Sequence, residues 1–310
     1  MTAVSSNDAL EPRAAPLGLI AGEGELPRLV AGGARRAGRS VAIVALRGCA
    51  DPALRELADR FCWRGIVQLG RWIRALKRAG CREVILAGRV RKSTMFAGPR
   101  WRQWLRYLPD LTSIRVWYFG VRDRRNATLL RAVADELERR GLRLIDSTRY
   151  CPEALVEEGV LTPFEPPAAV RADADFAWPL ARQIAALDIG QSVAVKEKEI
   201  IAVEALEGTD KLIERAGQLC PQGGWTLVKV ARPEQDMRFD VPTIGPQTIE
   251  NLHAARARGL VVEAGKTILL ERQRTLELAT RYRITLIGRC GSPGGAPSTG
   301  GTCDCEPGRR

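Results

Sequence analysis

Strand, glycine turn, helix and strand follow one another in LGLIAGEGELPRLVAGGARRAGRSVAIVAL, residues 17 to 46. The apolar run Leu17 to Ala21 reads as a buried strand, Gly22-Glu-Gly24 as a turn, and Val41 to Leu46 as a second buried strand. Between them a helix begins near Pro27, whose missing N–H lies in the unpaired first turn, and stops at Gly38. Two such strands joined by a helical crossover must run parallel, and a parallel sheet needs helices on both faces. The alternation continues with a helix at Ala53 to Arg60, a strand near Cys62 to Val67, a helix at Arg71 to Ala79, a strand at Glu83 to Ala87, a helix at Ala127 to Arg140 and a strand at Leu142 to Asp146. The expected fold class is therefore α/β, with a Rossmann-like parallel-sheet domain over 16–150 behind a flexible leader, 1–15.

Ligands of such sheets sit beyond the carboxyl ends of the strands, where Gly22-Glu-Gly24 and Gly88-Arg89 fall. Glycines there let backbone amides approach a phosphate, and Arg89 offers a guanidinium to an anion. Pro27 stands where a dinucleotide fingerprint has its third glycine, and the second strand ends in Leu46-Arg47 rather than in an acid for a ribose. These residues favour a phosphate or nucleotide ligand other than NAD, with a plain tight turn as the structural alternative.

The chain carries 48 Lys and Arg against 36 Asp and Glu, a net charge of +12 over 310 residues. That balance favours phosphorylated metabolites, anionic lipid or nucleic acid. The basic residues are dispersed and no nucleic-acid motif accompanies them, so nucleic acid is not expected. Eight cysteines without a CxxC pair, beside the single His253, do not make a zinc site, and a chain of this size needs no disulfide framework. A reducing cytoplasm is expected. No apolar run approaches the roughly 20 residues that span a bilayer, so membrane contact would be peripheral. Trp101, Trp104 and Tyr107, interleaved with Arg100, Arg102 and Arg106, suit an amphipathic interfacial segment or a wall for acyl chains, with a helix packing aromatic residues on the core as the structural alternative.

The Pro-rich stretch 151–175 reads as a linker, 176–289 as a mixed α/β domain, and the Gly- and Ser-rich 290–310, with Cys303 and Cys305, as a disordered tail. In the second domain Ser192 to Lys196 and Ile200 to Ala205 form an expected hairpin. Glu207-Gly208-Thr209-Asp210 then opens a helix with Thr209 as its cap. Capping leaves Glu204 and Glu207 unexplained. Further on, QDMRFDVPTIG alternates as a strand would, which puts Asp236, Arg238 and Asp240 on one face. Such a face holds either surface ion pairs or a carboxylate that binds metal or activates water. On a strand the two aspartates stand about 13 Å apart, at roughly 3.3 Å per residue, too far to chelate one ion.

Taken together, LGLIAGEGELP, LKRAGCREVILAGRV, LDIGQSVAV, AVEALEGTDKLI, QDMRFDVPTIGPQTIE and GLVVEAGKTILLER resemble the signatures of the UDP-2,3-diacylglucosamine pyrophosphatases of lipid A synthesis, the metal-dependent family once known only as a domain of unknown function. The resemblance runs from Leu17 to about Gly288. It implies a cytoplasmic enzyme, commonly a homodimer at the anionic inner-membrane surface, that uses Mg²⁺ and no NAD. Its substrate, UDP-2,3-diacylglucosamine, would be held between the domains and cleaved to UMP and 2,3-diacylglucosamine 1-phosphate. By position, Asp236 and Asp240 would be catalytic. Gly22, Gly24, Gly88, Arg89, Thr209 and Gln235 would bind substrate, and Asp236, Asp210 and Glu207 the metal. Two departures are Asn126-Ala127 in place of an acidic pair and Arg232 in place of a lysine. A sugar-nucleotide oxidoreductase or a non-catalytic sugar-nucleotide-binding protein on the same fold is the alternative.

Overall fold

The computed structural model describes residues 15–90, 108–119, 126–233, 235–239 and 241–291. The Trp101, Trp104 and Tyr107 stripe, Asp240, Cys303, Cys305 and the side chains of Asn126 and Ala127 lie outside the described residues, as do 1–14 and 292–310.

In the first domain β1 (Leu17–Ala21), β2 (Val41–Leu46), β3 (Arg60–Arg64), β4 (Glu83–Ala87) and β5 (Arg143–Leu144) make one all-parallel sheet in the order β3-β2-β1-β4-β5. β1 and β2 are buried along their whole length because both faces are covered. Helix α1 (Leu26–Arg36) seals one face through Val30, Ala31 and Ala34. The other face takes Trp72, Ile73 and Leu76 of α2 (Leu69–Arg78), Val116 of α3 (Leu111–Phe119) and Ala134 and Leu137 of α4 (Asn126–Arg139). The helix expected from Ala53 is instead a short 3-10 helix, Pro52–Leu57, after which Ala58 is extended and β3 begins at Arg60. Asp51 accepts the Ala53 N–H at 2.8 Å, which caps a segment too short to propagate as an α-helix.

The second domain contains β6 (Gly159–Val160), β7 (Ser192–Lys196), β8 (Glu199–Val203), β9 (Thr226–Lys229), β10 (Thr243–Ile244), β11 (Gly259–Glu263), β12 (Ile268–Leu269) and β13 (Thr285–Arg289). Its main sheet runs β6-β13-β11-β9-β7-β8, with β9, β11 and β13 parallel and the other three antiparallel to their neighbours. Helix α5 (Ala168–Ala186) covers one face through Ala177, Trp178 and Ala181. The opposite face is covered by α6 (Thr209–Leu219), α7 (Pro246–Ala254) and α8 (Arg272–Arg281) around Trp225, Leu227 and Leu260. The β7–β8 hairpin turns through Glu197 and Lys198, both at positive φ. Asp173 of α5 secures that turn by accepting the Lys198 N–H at 2.8 Å. The stretch read as a linker is partly structured, since it carries β6 and the first residues of α5.

Two segments of the second domain leave its sheet and join the first. β10 and β12 pair in parallel as a separate ribbon, and Ile268 of that ribbon is fully buried in the hydrophobic core of the Rossmann-like domain, with Val241 and Leu270 packed beside it. Phe239 packs against the cluster on the other face of the same sheet.

Close packing is just as strict at α1, where a Cβ on Gly33 would overlap the Tyr150 carbonyl oxygen, whereas one on Gly32 meets only the end of the Arg36 side chain at 3.5 Å. Gly33→Ala should therefore destabilise the protein by about 2 kcal/mol or more, and Gly32→Ala should be neutral or stabilising by up to about 1 kcal/mol. Urea unfolding of the two variants checks the pair, and equal stabilities would contradict the packing argument.

Candidate functional site

The carboxyl ends of the parallel strands in the two sheets are brought together by the loops that follow them. The segment after β9 reaches the loop after β5: Met237 O accepts from Ser147 N at 3.1 Å and from Ser147 Oγ at 2.9 Å. The segment after β11 and β12 reaches the loop after β1, where Glu25 Oε2 accepts the Glu271 N–H at 2.6 Å. The motifs LGLIAGEGELP, QDMRFDVPTIGPQTIE and GLVVEAGKTILLER thus supply contacts of this junction.

On the first-domain side, the loops after β1 and β4 are zipped together. Glu23 N donates to Arg89 O at 2.8 Å, and Arg89 N returns a bond to Glu23 O at 2.9 Å. A Cβ on Gly22 would stand 2.6 Å from Arg89 O, and one on Gly88 would stand 2.7 Å from Glu23 O. Gly24 has φ +105, which favours glycine for a different reason. Gly22 and Gly88 are therefore accounted for by the approach of one loop to the other at the point where the strand order reverses. Arg89 is exposed, and its side chain has no ion pair among the described residues.

The described part of the motif, 235–239, is a turn rather than the expected strand. Phe239 N donates to Asp236 O at 3.2 Å, and Arg238 N to Asp236 Oδ1 at 3.1 Å, an aspartate-initiated turn that defeats the alternation. Asp236 and Arg238 do meet, through a two-pronged contact of Nε to Oδ1 at 2.9 Å and Nη2 to Oδ2 at 2.8 Å. Arg238 also reaches Glu138 of α4 in the other domain at 2.8 Å. The Arg238 guanidinium holds the Asp236 carboxyl below the usual aspartate range. Gln235 Oε1 accepts the Arg232 N–H at 3.1 Å and so closes the preceding turn.

On the edge of the second sheet lies a buried polar cluster. Thr209 is the first residue of α6, not its cap; that place belongs to Gly208 at φ +84. Freed from capping, Thr209 Oγ1 donates to Glu204 Oε1 at 3.1 Å and accepts from Lys229 Nζ at 3.0 Å, with Ser192 Oγ at 3.4 Å. Glu204 and Lys229 are both about 6% exposed, and the second oxygen of Glu204 is buried without a hydrogen-bond partner among the described residues. Lys229 and Ser192 were missed as site residues, although a lysine inside the apolar strand run TLVKV is a signal for a buried charge that must be paired. Glu263, also buried, accepts the Ala231 N–H at 2.8 Å and pairs with Lys266 at 3.0 Å, which ties the loop after β9 to β11.

Glu207, Asp210 and Asp236 are each engaged separately. Glu207 pairs with Arg215 at 2.6 Å, and its own backbone N–H together with Arg215 keeps its carboxyl below the ordinary range. Asp210 accepts from Asn251 Nδ2 at 3.0 Å. Among the described residues no three His, Cys, Asp or Glu side chains are grouped to hold one ion. No helix among them is long and apolar enough to cross a membrane.

Residues 16–154 match the model of the LpxI N-terminal domain, and 157–287 that of the LpxI C-terminal domain. The UDP-2,3-diacylglucosamine pyrophosphatase LpxI of Caulobacter vibrioides is 34% identical over 283 residues, which cover 88% of this chain and 96% of that protein.

The Asp236–Arg238 pair has a pH signature. Because the folded pKa of Asp236 is depressed, the pair's contribution is complete above the unfolded value of about 3.9 and is lost as the pH falls through the lower folded value. In a Glu138→Gln background, Arg238→Met should lower stability at pH 7, and that difference should shrink below about pH 4. Denaturant unfolding between pH 7 and pH 3 measures it; a pH-independent difference would remove the charge pairing as its cause.

Proposed function

Because the chain belongs to the LpxI family of UDP-2,3-diacylglucosamine pyrophosphatases, as its two domain matches and its relative of near-equal extent establish, we propose that it hydrolyses UDP-2,3-diacylglucosamine to UMP and 2,3-diacylglucosamine 1-phosphate in lipid A biosynthesis. Water adds to one phosphorus, the bridging P–O bond breaks, and each product leaves with a phosphate monoester. The observation that carries this reading is the coverage of both domains, with the motif-bearing loops meeting where the carboxyl edges of the two sheets face each other. The net charge of +12 supports work on an anionic lipid substrate at the inner-membrane surface, and a homodimer belongs to the same reading.

The residues suit a hard cation in a restricted way. Mg²⁺ is commonly held by one or two carboxylates, with substrate phosphates and water completing the shell, so a cage of three acids is not required. Asp236 and the unpartnered oxygen of Glu204 offer oxygen donors of that kind, and Asp210 or Glu207 would have to leave Asn251 or Arg215 to join. When bound, the cation neutralises charge on the pyrophosphate oxygens. Asp236 is kept ionised and oriented by Arg238, which suits an electrostatic or ligand role; its depressed pKa makes it a weak proton acceptor. Lys229, through Thr209, fixes the Glu204 carboxylate beside the first turn of α6. Asp240 is the second carboxylate of the motif and shares the catalytic assignment. Gly22, Gly24, Gly88, Arg89, Thr209 and Gln235 line the proposed substrate side.

Purified protein given UDP-2,3-diacylglucosamine should release UMP and the lipid monophosphate with Mg²⁺ and without any nicotinamide, and excess EDTA should abolish turnover. Absence of UMP would return the choice to the oxidoreductase or binding-protein alternative, and full turnover in EDTA would refute the metal requirement. Of Asp236→Asn and Asp240→Asn, at least one should lower kcat by about 10²-fold while folded and still binding substrate. Near-normal kcat in both would move the chemistry to the Glu204 cluster.

A further inference from the structure

Among the described residues, three groups of arginines stand out, and two of them have an acid at the centre. Glu136, fully buried on α4, takes Arg115 and Arg140 at 3.1 Å each and Arg139 besides. Glu83 at the head of β4 takes Arg39 at 2.5 Å, with Arg143 and Arg149. The third group surrounds a cavity of about 390 Å³ between the end of β3 and the outer face of α2, lined by Arg47, Arg64, Arg71, Arg74 and Arg78 beside Trp63. None of these five forms an ion pair among the described residues. The Arg64 guanidinium donates to the Trp63 carbonyl at 2.7 Å, and Asp110 meets Arg71 through the backbone N–H of Arg71, at 2.9 Å.

The scaffold of this cavity is ordered by the fold. Arg71, Arg74 and Arg78 recur at helical spacing on one side of α2. Arg47 N donates to Arg64 O at 2.9 Å, so the two strand ends present their arginines together. Beneath them Gly65 is held from both sides, its N–H donating to the buried Gln68 at 3.0 Å and its carbonyl accepting from Trp72 Nε1 at 2.8 Å. Five like charges around one opening repel each other, and an anion placed among them turns that repulsion into attraction. Planar guanidinium forks match phosphate oxygens in geometry as well as in charge.

We propose that this arginine-lined cavity, whose lining shares no residue with the proposed hydrolytic site, binds a phosphate group separately from it. The phosphate could be supplied by the headgroup of an anionic lipid or by a soluble phosphate ion, which present the same oxygens. The inference goes beyond the hydrolytic reading, and its test needs no turnover.

The experiment compares full-length protein with an Arg71→Gln/Arg74→Gln/Arg78→Gln variant, folding being checked by circular dichroism. Arg47→Gln serves as a second, single-site variant should the triple variant fail to fold. Two probes are used at matched ionic strength: inorganic phosphate against chloride in thermal unfolding, and co-sedimentation with phosphatidylglycerol-containing against pure phosphatidylcholine vesicles. The unchanged protein should respond to at least one probe, and the triple variant should need about tenfold more of it for the same response. Response to vesicles alone assigns a lipid headgroup, and response to phosphate, with or without vesicles, a site that also takes soluble phosphate. The proposal is overturned if the unchanged protein responds to neither probe, or if the folded variants respond as it does. A parallel fall in the hydrolysis of detergent-dispersed substrate would assign the phosphate to the substrate itself and overturn the separate site.

Discussion

Ile268 belongs by sequence to the second domain and by packing to the first, where it is fully buried. Full burial of such a side chain stabilises by roughly 1.5–3 kcal/mol, and Val241, Leu270 and Phe239 add partly buried area around it. The contact is stronger than its size suggests because of what it holds. The loops that carry it follow β9 and β11, so seating them also fixes Met237 on Ser147 and Glu271 on Glu25. The carboxyl edges of two independent parallel arrangements are thereby set against each other.

The glycine turn after β1 illustrates how one residue type can satisfy two different physical demands. In a dinucleotide fold such glycines admit a pyrophosphate to the backbone. Here Gly22 and Gly88 admit the opposing loop, whose carbonyls would stand within 2.6–2.7 Å of an added Cβ. The result is a rigid floor at the strand-order reversal, with the exposed Arg89 side chain carried on it.

The parallel sheet of the first domain was legible because it depends on periodicity and punctuation, and Pro27 and Gly38 bracket a helix that the structure places at Leu26–Arg36. The β7–β8 hairpin was legible for the same reason, although its turn uses Glu197 and Lys198 at positive φ with no glycine to announce them. The reading failed where a side chain competes with the backbone. Asp236 captures the Arg238 N–H and bends a segment whose alternation is that of a strand, and Pro233 and Pro242 on either side were the available warning. Thr209 looked like a cap because residue type alone cannot show that Gly208 occupies that position. In the Glu204, Thr209 and Lys229 cluster, Thr209 follows Glu204 by only five residues, but Lys229 lies on another strand, which the antiparallel register of Ser192 with Lys229 brings alongside.

Domain docking and the proposed chemistry share residues. Arg238 grips Asp236 with two nitrogens and extends a third contact to Glu138 on α4, so the orientation of the motif carboxylate is referred directly to the other domain. A carboxylate positioned this way loses little freedom when a cation or water meets it, which is the advantage of preorganisation. It also follows that a small shift of one domain against the other would reorient Asp236 before it disturbed either core. The loop that carries Asp236 packs Phe239 on one face of the first sheet and Val241 on the other, so it resists that shift from both sides. The hydrophobic anchor therefore sets the geometry in which the charged turn must work, and the ion pair transmits that geometry to the carboxylate.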